Sequence, residues 1–160
     1  MSWYRAVLVL PLLVSACGFQ VRSDARFPPQ MSVIYIDAVD RFSHFYRALV
    51  LSIRESELTL TSDPGSADTV IRVLHDETGR RTLSVSARNV PTEYEAYYVV
   101  RFAVLFEGAE VVPSKQVQLT RIYTYDETLV LGKELEEEEL RKAIAADLVG
   151  MLVQQVAVIN

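Results

Sequence analysis

Glu95-Ala96-Tyr97-Tyr98-Val99-Val100-Arg101-Phe102-Ala103-Val104-Leu105-Phe106-Glu107 is the stretch from which the fold can be read. Ala96, Tyr98, Val100, Phe102, Val104 and Phe106 occupy every second position, so an extended chain points all six to one side. The intervening Glu95, Tyr97, Val99, Arg101, Ala103, Leu105 and Glu107 are a mixed set. One face of this strand is expected to pack on helices, and the other to meet either water or a partner.

Outward from it, Thr69 to His75, Arg81 to Val90 and Lys115 to Tyr125 also read as strands, with no helical period between them. Turn signals at Glu77-Thr78-Gly79, at Pro91, and at Gly108 with Pro113 divide them, so the neighbours are expected to run antiparallel. Further back, Val33-Ile34-Tyr35-Ile36 is a continuous apolar run, as in a strand covered on both faces. Glu57 to Leu60 is a short strand candidate, and Ser62-Asp63-Pro64-Gly65-Ser66 a turn. Asp40 is expected to cap a helix whose Phe42, Phe45, Tyr46, Leu49 and Ile53 recur at helical spacing.

A last helix begins near Glu134, with a stripe of Leu140, Ile144, Leu148, Met151, Leu152 and Val156. Its first turns are rich in glutamate, which complements the helix dipole. Gly150 costs ~1 kcal/mol relative to Ala and is expected to mark close packing. The order of elements predicts an α+β domain, two helices packed on one face of a mixed, mostly antiparallel sheet of about four to five strands.

The amino-terminal end is of another kind. Arg5 precedes the apolar run Ala6 to Val14, which is too short for a membrane span of ~20 residues. Ser15-Ala16-Cys17 supplies small side chains before the only cysteine. This layout resembles a bacterial lipoprotein signal, with residues 1–16 removed and Cys17 acylated as the first mature residue. An ordinary signal followed by an incidental cysteine is the alternative. Gly18, rather than Asp, lacks the usual inner-membrane retention signal. More than one acyl chain anchors stably, so the mature protein is expected to be held at the membrane by lipid alone. Residues 17–30, with Phe27-Pro28-Pro29, read as the lipidated tether, and residues 31–160 as a single domain.

The mature chain carries 15 basic and 21 acidic side chains, a net charge of −6, and Glu134 to Asp147 alone holds −4 of it. That is no nucleic-acid footprint, which needs a basic face. The Glu136 to Glu139 run is not expected to form an acid/base or cation-binding cluster, since adjacent helical residues point in different directions and the four cannot converge on one substrate or ion. His44 and His75 have no cysteine or carboxylate at ligand spacing and read as surface histidines, so no metal and no cofactor is expected. Enzyme motifs are absent.

Several segments together resemble one family. Cys17-Gly18-Phe19-Gln20-Val21-Arg22, Thr92-Glu93-Tyr94, Arg121-Ile122-Tyr123-Thr124-Tyr125-Asp126 and Leu129-Val130-Leu131-Gly132-Lys133-Glu134 are similar, in this order, to the LptE family of Gram-negative lipoproteins. The resemblance implies an outer-membrane lipoprotein without enzymatic activity that plugs an LptD-like β-barrel, helps it assemble, and takes part in lipopolysaccharide (LPS) insertion into the outer leaflet. It further implies LPS contact at Arg88 and Lys133, basic residues at loop ends of the sheet. Arg80 and Arg81 are expected at the opposite end of their strand from Arg88, as solvated charges. Gly132, where the family more often has alanine, and Val153-Gln154-Gln155-Val156, where relatives carry arginines, depart from the pattern. A free-standing periplasmic lipid-binding lipoprotein is the alternative, and would need an internal apolar pocket.

Overall fold

In a computed structural model, the structure describes residues 26–125 and 130–159, without the side chains of residues 130 and 131. Its elements are β1 (Val33–Ala38), α1 (His44–Glu55), β2 (Thr59–Thr61), a 3-10 turn (Pro64–Ser66), β3 (Thr69–Val85), β4 (Pro91–Phe106), β5 (Ala109–Thr124) and α2 (Val130–Ala157). The strands form one sheet in the order β2-β1-β3-β4-β5. β1 runs parallel to β2 and β3, while the much longer β3–β4 and β4–β5 ladders are antiparallel. Both helices lie on one face, as the α+β reading expects.

The face predicted for β4 is the one the helices cover. Ala96, Tyr98, Val100, Phe102 and Val104 are fully buried, against Phe45, Leu49 and Ile53 of α1 and Ile144, Leu148, Leu152 and Val156 of α2 in one hydrophobic cluster. Ile34 and Ile36 complete it from β1. Phe27 and Met31 are buried in the same cluster, and Met31 N donates to Pro28 O at 3.0 Å. The end of the stretch read as a tether is thus packed on the domain.

Several expectations need correction. No turn interrupts the chain at Glu77-Thr78-Gly79, and the two strands predicted on either side are one 17-residue strand, β3. Gly79 stands opposite Tyr97, and a Cβ there would lie 2.6 Å from the Tyr97 hydroxyl oxygen. The glycine makes room for a ring that reaches across the strand, where its Oη donates to Glu77 at 3.1 Å. The reversal comes at residues 86–90, where Asn89 takes φ 61° and Ser86 N donates to Val90 O at 2.7 Å. β5 begins at Ala109 rather than Lys115, because Pro113 sits at a register shift in an edge strand, a position that tolerates a missing donor. Glu107 and Gly108, both at positive φ, form the two-residue turn before it.

Ser43, not Asp40, caps α1, accepting from Tyr46 N at 3.0 Å. Asp40 instead accepts from Phe42 N at 2.7 Å in a local turn, which leaves Phe42 outside the helix and 85% exposed. α2 starts four residues earlier than predicted, at Val130.

Candidate functional site

β4 begins where β5 ends: Glu93 pairs with Thr124 and Tyr94 with Tyr123, and Tyr125 N donates to Thr92 O at 2.9 Å. The chain therefore leaves β5 beside the β3–β4 hairpin and enters α2 from that end of the sheet. Arg88 is exposed in the hairpin. Lys133, expected just before the last helix, lies in the first turns of α2, with its Nζ donating to Glu136 at 2.7 Å. The fold brings these two predicted site residues to one end of the molecule. Cys17 and the signal at 1–16 lie outside the described residues.

Arg80 and Arg81 are not at the opposite end of the strand. They lie in the middle of β3 and point to opposite faces. Arg81 forms an ion pair with Glu95 on the open face of the sheet. Arg80 faces α2, still partly open to water but paired rather than free, and its Nη1 donates to Glu137 Oε2 at 2.6 Å.

Glu137 is the centre of this end. It is only 6% exposed, and its Oε2 also accepts from Tyr123 Oη at 2.6 Å while its Oε1 accepts from Arg141. The Arg80 guanidinium lies 4.7 Å from the centroid of Tyr94, which stacks on Tyr123 at 5.8 Å and meets Tyr125 edge-on at 5.2 Å. Burial alone would raise the Glu137 carboxyl, yet the hydrogen bonds from Tyr123 and Arg80 and the charge of Arg141 hold it below its usual value. Burial, and then the bond to that carboxylate, push the Tyr123 phenol up to about 12. The arrangement pairs charges between the sheet and α2, with Lys133 one turn earlier in the helix.

A second polar knot ties α1 to the sheet. Tyr98 Oη donates to Asp76 Oδ1 at 2.8 Å and accepts from Phe45 N at 3.1 Å, and Ser43 Oγ donates to Asp76 Oδ2 at 2.5 Å. Burial, followed by the bond to Asp76, raises the Tyr98 phenol well above its usual value.

Of the two histidines read as surface residues, His75 is partly exposed as expected and His44 is not. The His44 side chain is largely covered where the helices meet, its Nε2 3.4 Å from Glu138 Oε2, and His75 Nε2 is 3.2 Å from Glu77. The glutamate run splays as helical geometry requires: Glu136 meets Lys133, Glu137 turns inward, Glu138 faces His44 and Glu139 bonds Lys142 at 2.8 Å. The four do not converge, as expected, but the sequence reading did not single out Glu137. The signal was its spacing, three residues before Leu140 and seven before Ile144, which puts it on the apolar stripe. Among the described residues no group of histidine, cysteine and carboxylate side chains is placed to hold a metal ion, and no helix is long and apolar enough to cross a membrane. The hollows include a polar one lined by Arg80, Glu134, Glu137, Glu138 and Arg141, and one between the helices around Leu51 and Ala146.

Comparisons with known proteins match most of the chain. The model of the family described as LptE, lipopolysaccharide-assembly, matches residues 31–156. The LPS-assembly lipoprotein LptE of Yersinia enterocolitica is 28% identical over 156 residues, covering 96% of this chain and 75% of that protein. Its counterpart of the same name in Photorhabdus laumondii is 24% identical over 156 residues, with 96% and 85% covered. Among solved structures, rare lipoprotein B from Shewanella oneidensis superposes with a TM-score of 0.67 at 25% identity, covering 79% of this chain and 94% of that one. Lipoprotein B from Nitrosomonas europaea gives a TM-score of 0.69 at 25% identity, with 88% and 90% covered.

Proposed function

This chain belongs to the LptE lipopolysaccharide-assembly family, and from that premise we propose that it is an outer-membrane lipoprotein that sits as a plug inside an LptD-like β-barrel, assists the assembly of that barrel, and takes part in LPS transport to the outer leaflet. The single observation that carries the reading is the family match, which spans the whole sheet and nearly all of α2. Barrels of the outer membrane have polar interiors that other elements can fill. A domain with its buried apolar side chains gathered in one cluster and ion pairs on the exposed surface of its strands suits such a lumen.

Cys17 carries the acyl chains in this account, so the protein is anchored to the outer membrane by lipid, faces the periplasm and the barrel lumen, and works without catalysis. Arg88 and Lys133 are the LPS contacts. Their common end of the sheet supports that assignment, because LPS phosphates and acidic sugars would meet an arginine fork and a lysine point charge together. The free-standing lipid-binding alternative would need an apolar interior pocket, whereas among the described residues nearly all the buried apolar side chains gather in one packed cluster.

The test is affinity isolation of this protein from solubilised outer membranes at native expression. A large barrel protein is expected to come with it in near-equal amount and to resist modest salt, as a broad, partly apolar contact would. Recovery of the lipoprotein alone would overturn the plug.

A further inference from the structure

We infer that Glu137 is a positioning residue whose buried carboxylate sets the rotation and height of the first turns of α2 on the sheet, and so the place of Lys133 relative to Arg88. In its functional half the inference rests on the LPS-contact reading above, and in its structural half on geometry alone.

The amino-terminal part of α2 has few other contacts to hold it in register. Between Gly132 and Ala143, Glu137 is the one buried residue, Leu140 is only partly buried against the core, and full apolar burial starts at Ile144. An apolar side chain there would accept many rotations, since burial has no direction. A carboxylate with fixed donors does not. Glu137 accepts from Arg80 on β3, Tyr123 on β5 and Arg141 one turn along its own helix, so its two oxygens are tied to three elements. Slipping α2 by one residue would turn Glu137 through ~100° and bring Glu136 or Glu138 toward Tyr123. Glu136 and Glu138 already face Lys133 and His44.

The donors are themselves braced. Tyr94 covers the Arg80 guanidinium and stacks on Tyr123, and the backbone of Tyr125, which meets the same Tyr94 ring, is bonded to Thr92 at the start of β4. From Glu137 this bracing runs to within a few residues of the hairpin that carries Arg88. Lys133 stands four residues before Glu137, on the same side of the helix.

Two readouts test this on the mature, acylated protein. The first is LPS affinity at a temperature where every variant is folded, for Glu137→Gln, Lys133→Ala and the double variant. Glu137→Gln keeps the size and removes the charge. It is expected to weaken binding about 3- to 10-fold alone and to add nothing in the Lys133→Ala background. Equal weakening in both backgrounds, or none in either, would overturn the positioning role. The second readout is the distance distribution between spin labels at Ala87→Cys and Leu135→Cys, with and without Glu137→Gln. One narrow population should become broad or double, and an unchanged distribution would overturn the structural half whatever LPS does. If Lys133→Ala binds LPS as well as the parent while the label distances do shift, the LPS-contact reading falls and the register role of Glu137 stands.

Discussion

The two ends of α2 are held to the same sheet by different physics. Its carboxyl-terminal part buries Ile144, Leu148, Leu152 and Val156 against β4 and α1, a contact made of shape and area. Its amino-terminal part rests on Glu137, Arg80, Tyr123 and Arg141, a contact made of direction. Apolar burial supplies most of the stability a domain has. A buried ion pair offers less net stability than its short distances imply, because desolvation offsets much of the attraction. What it contributes is one allowed geometry. In this molecule the directional contact lies at the end that carries Arg88 and Lys133, the proposed LPS contacts.

The largest effect should come from the apolar end. Leu148→Ala, at a fully buried position, is expected to lower stability by about 2–5 kcal/mol in urea unfolding, with LPS affinity of the folded protein unchanged. Affinity that fell with stability would dissolve the division between the two ends. Next comes Glu137→Ala, which removes the acceptor for three donors and should cost about 1.5–3 kcal/mol, moderated because Arg80 remains partly open to water. Gly79→Ala should cost about 1 kcal/mol through its clash with the Tyr97 ring. In a Tyr97→Ala background the penalty should vanish, and a penalty that persisted would return Gly79 to a backbone role. Smallest is Arg72→Ala, which breaks an exposed pair with Asp37 and should shift stability by at most ~0.5 kcal/mol.

Titration separates the ends further. The folded Glu137 carboxyl lies below its unfolded value, so its contribution is present above the ordinary carboxylate range and is lost as pH falls through the folded value. Tyr123 is raised, so its contribution is complete below ~10 and is lost as pH climbs toward about 12. Glu137→Gln should therefore flatten the acid limb of the stability curve relative to the parent, and an unaltered limb would assign acid sensitivity to other carboxylates.

Much of this architecture was legible from periodicity. The alternation from Ala96 to Phe106 identified the covered face of β4, and the stripe from Leu140 to Val156 identified the buried side of α2, since both patterns are set by the repeat of a single element. What escaped depended on a neighbour. Gly79 looked like a turn because its partner Tyr97 is distant in sequence, and only the register of β3 on β4 shows that the ring needs the space. Asp40 and Ser43 were equally good caps by residue type, and Asp76 on β3 distinguishes them by receiving the Ser43 hydroxyl. Glu137 was passed over within a run of four glutamates. Its spacing placed it on the stripe, but the donors that make burial of a carboxylate tolerable come from β3 and β5. At the candidate site, Arg88 and Lys133 came from family resemblance, and their common end of the sheet follows from the β4–β5 register.

The most direct test of the account is LPS binding by the charge-reversed pair Arg88→Asp with Lys133→Asp, measured beside the stability of the same variant. Expected is a protein that stays folded, losing about 1–3 kcal/mol because the Lys133 side chain is largely covered beside Glu136, and that has lost LPS binding. A folded variant that binds LPS as the parent does would contradict it.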